Sequence, residues 1–226
     1  MTNKRCYGDA CGIARALDAV GDRWTLMVVR ELMLGPKRFT DLRRALPRVG
    51  PDVLAQRLRD LEAGALVVRD TLPPPAHAQV YVLTPKGRAL ENVLVELGRW
   101  GGANADPPTP GMSMSEDAHL LSLQSLFDPA LAEDFAATIT LHLGESAYHA
   151  TVCDGRITVA RGAAPDADAT IHTSPESLIA VAHKRCRCTD AIADGQLRIT
   201  GDEDLGARFL QLFTLPSPAA TDLPAA

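Results

Sequence analysis

The spacing of apolar positions changes character once along the chain, and that change divides it. Up to about residue 102 the period is that of amphipathic helices. Residues 13–20 read as a first helix. Residues 23–34 read as a second, in which Trp24, Val28 and Leu32 lie on a different face from Leu26, Val29 and Met33. A helix apolar on several sides is a buried one. Gly35-Pro36 ends it, and residues 39–46 form a third helix, with Thr40 expected as its N-cap. The tight turn Pro47-Arg48-Val49-Gly50 leads into a fourth helix over residues 51–62. Pro51 suits its first position, where a missing N–H has no partner to lose, and Gly64 suits its stop. Leu54, Leu58 and Leu61 share one face at i, i+4 and i+7, which leaves Asp52, Gln56, Arg59 and Asp60 opposite. Two β-branched segments, residues 66–71 and 79–84, flank a Pro-rich tip at 72–78 and read as a hairpin. Helix, tight turn, helix, hairpin is the order of a winged helix-turn-helix. Thr84-Pro85 then opens a long helix with the stripe Leu90, Val93, Leu94, Leu97 and Trp100, expected to stop at Gly101-Gly102. A small domain has little interior for so broad a stripe, so part of it is expected to pack on a second copy.

Residues 103–115 have neither period nor large apolar side chains other than methionine and read as a linker. Residues 116–134 read as helix interrupted at Asp128-Pro129. From there the period shortens to two: in 136–143, Ile139, Leu141 and Leu143 alternate with Thr138, Thr140 and His142. Turn signals at Gly144-Glu145-Ser146 and Asp154-Gly155 separate this strand from 147–153 and 156–160, which predicts an antiparallel meander. A strand at 168–173 follows. Thr173 or Ser174 caps a helix opening at Pro175; a short helix ends at Gly195, and a strand at 196–200 leads to a last helix carrying Leu205, Phe209 and Leu212. The expected fold class is therefore α+β. A winged helix-turn-helix domain occupies 1–102, a linker 103–115, an antiparallel sheet covered by helices 116–215, and a frayed tail 216–226. The second interior holds few aromatics among many alanines, which leaves either a well-packed core or a cavity lined by Ile139, Leu141, Leu178, Val181, Phe209 and Phe213.

Charge sharpens this division. The net charge of −5 hides 16 Lys+Arg against 11 Asp+Glu through Gly102, and 7 against 17 beyond it. Between Arg30 and Arg59 there are eight basic and three acidic residues, so the first half alone is suited to a phosphate backbone. Lys37, Arg38, Arg43, Arg44 and Arg48 surround the turn where a DNA backbone would pass. On the outward face of the fourth helix Gln56 matches adenine, Asp52 accepts from cytosine or simply favours the helix N-terminus, and Arg59 reaches base or phosphate. Arg57 borders the apolar stripe, so pairing with an acid such as Glu31 or Glu62 is as well supported as a contact with DNA. His77, at the proline tip, suits a wing lying along a minor groove.

No apolar run reaches the ~18 residues of a membrane span, and the N-terminus has no apolar signal segment, so a cytoplasmic protein is expected. Five cysteines at irregular spacing argue against a disulfide framework. Cys186-Arg187-Cys188 lacks the two-residue spacing of a zinc half-site and sits among cations, so no metal is expected. No nucleophile, base and orienting residue fall at a catalytic spacing, and no Gly-rich phosphate loop is present; neither an enzyme nor a cofactor is expected.

Cys11-Gly12-Ile13-Ala14-Arg15-Ala16-Leu17, Gly21-Asp22-Arg23-Trp24-Thr25-Leu26, the corner Gly35-Pro36-Lys37-Arg38-Phe39, Leu54 through Glu62, and Tyr81-Val82-Leu83-Thr84-Pro85-Lys86-Gly87 together resemble an HxlR-type, MarR-like regulator. The resemblance implies a bacterial transcription factor that dimerises through its first and last helices and binds double-stranded operator DNA. It also puts Cys11 where such proteins carry a redox-sensing thiol, although Gly12 stands where many have proline; a small buried cysteine is the other reading. Ala169 through Leu178 and Ala193 through Asp202 resemble the sterol carrier protein type 2 fold, which implies a sheet and helices around an apolar tunnel. Together these predict a homodimeric regulator modulated by an apolar small molecule or lipid. The alternatives are a lipid carrier, and a regulator whose second domain is only structural.

Overall fold

The computed structural model describes residues 6–75, 77–105, 109 and 111–215. The expected frayed tail at 216–226, and residues 106–108 and 110 of the expected linker, lie outside these. The chain divides into two compact units, Met1–Leu94 and Val95–Ala226. The division falls inside a helix, not within the Pro-rich segment read as a linker.

In the first unit, α1 (Gly12–Val20), α2 (Thr25–Leu32), α3 (Phe39–Ala45) and α4 (Pro51–Ala63) precede a hairpin of β1 (Val67–Thr71) and β2 (Gln79–Leu83), followed by α5 (Pro85–Arg88). As its pattern required, α2 is the buried centre: Val28, Val29 and Leu32 are fully enclosed, and Leu42, Leu54, Leu58 and Leu61 pack in the same core. The cap of α3 differs from expectation. Arg38, not Thr40, is the N-cap, because Asp41 three residues on accepts a hydrogen bond from the Arg38 backbone N–H at 3.2 Å. The hairpin pairs Val67 with Leu83 through Thr71 with Gln79, and a bridge between Lys37 and Tyr81 adds a third, one-residue rung.

The long helix expected from Thr84 is two. Thr84 caps α5 by accepting from the Gly87 N–H at 3.1 Å and also donates to the Ala65 carbonyl at 2.8 Å. At Gly87 a Cβ would stand 2.1 Å from the Leu66 carbonyl oxygen, so only glycine lets α5 press on the chain entering the hairpin. Leu90 N–H then bonds the Gly87 carbonyl, three residues back instead of four, and α6 (Glu91–Asn104) starts anew. It runs through Gly101-Gly102. Neither takes the left-handed conformation that ends a helix, and an internal glycine costs only about 1 kcal/mol against alanine.

The second unit contains most of α6 and then α7 (Glu116–Leu126), a 3-10 turn at Pro129–Ala132, β3 (Ala137–Leu143), β4 (Ser146–Cys153), β5 (Arg156–Arg161), β6 (Ala169–Thr173), α8 (Pro175–Ala182), α9 (Cys188–Ala193), β7 (Leu197–Gly201) and α10 (Glu203–Phe209). The sheet order is β5-β4-β3-β6-β7. The meander β3-β4-β5 is antiparallel as expected, and β6-β7 also, but β3 and β6 are parallel, so the sheet is mixed. The reason is the connection at 162–168, which crosses back over β4 and β3; Ala164 N–H donates to Thr140 Oγ1 at 3.1 Å on the way. Thr140, outward by its alternation, is thereby buried. On the other face Ile139, Leu141, Leu143, Tyr148, Ala150 and Ile171 form the core with Leu178, Phe209 and Phe213. Tyr148 donates to Asp117 at 2.9 Å, and burial followed by the Asp117 charge pushes the phenol above the usual tyrosine range, so it stays a donor. Inside this unit α6 meets α7 closely: Ser125 Oγ donates to the Val95 carbonyl at 3.1 Å, and Arg99 Nε donates to the Ser125 carbonyl at 3.3 Å.

Candidate nucleic-acid interface

Burying Leu54, Leu58 and Leu61 turns the opposite side of α4 outward. Asp52 and Arg59 are exposed there, Gln56 is half-buried, and Val53 stands among them at 44% exposure. Val53 went unnoticed in the sequence because it precedes Leu54 in an apolar pair; its signal was being out of phase with the i, i+4, i+7 stripe. The polar members are linked: Gln56 Nε2 donates to Asp60 at 2.8 Å, and Arg59 donates to Gln56 Oε1 at 2.6 Å. The amide expected to face a base is thus engaged on both sides along the helix.

Arg57 pairs with neither Glu31 nor Glu62. It bridges Asp22 and Asp60, which ties α4 to the start of α2. Glu62 instead holds Arg69 of β1 at 2.7 Å, and Arg69 lies over the Tyr81 ring of β2 at 5.5 Å. The wing is therefore braced against the end of α4.

Of the basic residues around the turn, Arg38, Arg43, Arg44 and Arg48 are exposed. Arg44 keeps a loose contact with Asp41 at 3.5 Å, worth little at an exposed site. Lys37 is not among the exposed ones. It is 8% exposed, and its Nζ donates to Glu31 at 2.6 Å, while Arg30 holds the other oxygen of that fully buried carboxylate at 2.7 Å. Fixed into the fold by its backbone bridge to Tyr81, Lys37 points inward, because a carboxylate buried on α2 needs cationic partners more than the surface does. His77 is exposed at the wing tip with φ 33, beside the prolines.

Cys11 is exposed just before α1, which removes the reading of a buried apolar cysteine. Cys186 and Cys188 are half-buried; burial, then the neighbouring Cys186, pushes the Cys188 thiol up and makes it a poor thiolate. Among the described residues no three His, Cys, Asp or Glu side chains cluster as metal ligands.

The six residues named as lining a cavity, Ile139, Leu141, Leu178, Val181, Phe209 and Phe213, are all buried: none exceeds 6% exposure, and Phe209 meets Phe213 edge-on at 5.2 Å. A cleft of about 790 Å³ lies beside β7 in the second unit. Ile192, Leu197, Ile199 and Ala207 give it apolar surface, while His172, Gln196, Arg198, Glu203 and Asp204 make its polar wall. His172 also stacks on His142 of the neighbouring strand, ring centroids 4.7 Å apart. No helix of the described residues is long and apolar enough to cross a membrane.

Residues 119–214 match the family model described as the SCP-2 sterol transfer family, and residues 19–109 match that of the HxlR-like helix-turn-helix. The "Uncharacterized HTH-type transcriptional regulator YvaP" of Bacillus subtilis strain 168 is 37% identical over 93 residues, which are 41% of this chain and 86% of that protein. The HTH-type transcriptional regulator YodB of the same organism is 36% identical over 92 residues, 41% of this chain and 82% of that one. The solved reduced form of YodB from B. subtilis is 33% identical, covers 45% of this chain and all of its own, and superposes with a TM-score of 0.39. The chain belongs to the HxlR-like helix-turn-helix family, and behind that region it carries a domain of the SCP-2 sterol transfer type.

Proposed function

We propose that this protein is a homodimeric transcriptional regulator, not an enzyme, that acts in the cytoplasm by binding operator DNA through α4 and the wing. The observation that carries the reading is the outward stripe of Asp52, Val53, Gln56 and Arg59 on a helix whose other face is core, flanked by exposed Arg38, Arg43, Arg44 and Arg48. Arginines at such positions hold the phosphate backbone, and the stripe meets base edges. Its relatives' names, HTH-type transcriptional regulators, point the same way. Support for the dimer comes from apolar side chains left outside: Ile13 at 72% and Leu17 at 43% on α1, and Val93 at 51%, Leu97 at 48% and Trp100 at 66% on α6. Exposed apolar stripes of this kind mark protein interfaces. For the second unit we infer a site for an apolar or amphiphilic small molecule in the cleft beside β7, whose volume lies in the range of ligand pockets. Such a ligand modulates DNA binding only through unequal affinity for two arrangements of the dimer.

Titration of labelled duplexes across a salt series tests the first reading. Affinity falls with a log–log slope of about −0.9 for each phosphate neutralised, and Arg43→Ala lowers that slope while weakening all sequences alike. Footprints on a selected duplex form a palindrome with half-sites about 34 Å apart or a multiple of it. A salt-insensitive interaction, or none, removes the regulator reading. For the cleft, native mass spectrometry with added palmitate shows a bound acyl chain that Ile192→Asp abolishes. Binding of palmitate with no effect on DNA affinity favours a lipid carrier, and no binding at all favours a structural domain.

A further inference from the structure

Val53 sits in the first turn of α4, the part of a recognition helix whose side chains reach base edges. It is 44% exposed, while Leu54 beside it is fully buried. Valine is among the weaker helix formers, so the helix does not gain from it, and the core does not use it. Its polar neighbour Gln56 already donates to Asp60 at 2.8 Å and accepts from Arg59 at 2.6 Å, so that amide has given up part of its hydrogen-bonding capacity for base contact, with one N–H and one lone pair left. Val53 gives up nothing of the kind. The bases of the major groove offer one apolar group, the thymine C5-methyl. Resting on the DNA-binding reading above, we propose that Val53 is a specificity-determining residue that packs against a thymine C5-methyl in each half-site. Selectivity then arises at the N-terminal end of α4 from apolar contact, with Gln56 and Arg59 holding each other in position further along.

The test couples a residue change to a base change. Duplexes are selected from a random pool with the full-length protein, and the winner is resynthesised with single thymines of one half-site replaced by uracil, which lacks only the methyl. At one position the wild type loses about fourfold in affinity, the equivalent of roughly 0.8 kcal/mol for one buried methyl-sized group. Val53→Ser binds the thymine and uracil duplexes equally. Val53→Thr, which keeps a methyl, restores a preference for thymine. The exposed site leaves the fold intact, checked by an unchanged circular dichroism spectrum and an unchanged salt slope. If no uracil substitution affects the wild type, or if Val53→Ser suffers the same loss, Val53 does not read thymine, while the DNA-binding reading stands. A pool in which nothing is enriched overturns both.

Discussion

Replacing Lys37 with methionine separates a fold-building cation from a DNA-binding one. The Glu31 side chain is fully buried, with Lys37 Nζ at 2.6 Å and Arg30 at 2.7 Å; the side chains of Lys37 and Arg30 are 9% and 20% exposed. Methionine keeps most of the stem's packing and removes the charge. Breaking a buried pair by deleting one partner typically costs about 3–5 kcal/mol. Arg30 still compensates the carboxylate, so the expected loss lies at or just below the low end, about 2–3 kcal/mol. In urea, where a unit this small has a slope of about 1 kcal/mol per M, the midpoint falls by roughly 2–3 M. Fluorescence follows it through half-buried Trp24, in a Trp100→Phe background because Trp100 belongs to the proposed dimer face. Adding Glu31→Gln recovers part of the loss, since the buried carboxylate is gone and Arg30, 20% exposed, keeps access to solvent. DNA titrations on the folded variant keep the wild-type salt slope, whereas Arg43→Ala lowers it by about 0.9 without moving the midpoint. A Lys37→Met protein of unchanged stability whose salt slope drops by about one would refute the reasoning and return Lys37 to the phosphate backbone.

In the proposed dimer, Leu97→Asp yields a folded monomer in sedimentation, because Leu97 is 48% exposed and the charge would meet only the other copy; a variant that stays dimeric removes α6 from the interface. At Gly98 a Cβ would stand 2.6 Å from Ser125 Oγ, so Gly98→Ala gains about 1 kcal/mol of helix propensity but displaces the hydroxyl from its bond to Val95, leaving little net change. In a Ser125→Ala background the same substitution stabilises by about 1 kcal/mol, and equal effects in both backgrounds would deny the contact. His172 and His183 both titrate below the usual 6.5, His172 through burial, Arg198 and His142, and His183 through burial and Arg185. The unfolded chain therefore takes protons that the folded one resists, so the second unit loses stability as pH falls from about 6.5 toward the folded values. Urea midpoints between pH 7.5 and 5 measure this, and the double variant His172→Gln/His183→Gln flattens the profile.

What the sequence by itself determined was whatever repeats over a few residues. Leu54, Leu58 and Leu61 set the buried face of α4, and with it the outward side of Asp52, Gln56 and Arg59. Thr84-Pro85 and Ser174-Pro175 announced helix starts, and the alternation around Ile139, Leu141 and Leu143 announced a strand and its inner face. These features follow from local geometry, since a helix or strand presents its faces at a fixed period whatever it packs against. Tertiary structure alone decided the rest. Lys37 turned inward because Glu31, six residues earlier on another element, is buried. Arg57 found Asp22, and β6 lay parallel to β3 because residues 162–168 cross the sheet. Leu178, Phe209 and Phe213 were brought together from three separate segments into one buried set, and a cleft opened beside β7. Each of these outcomes depends on which distant group arrives at a buried charge, a sheet edge or a gap in the core, and no local period of apolar residues encodes that.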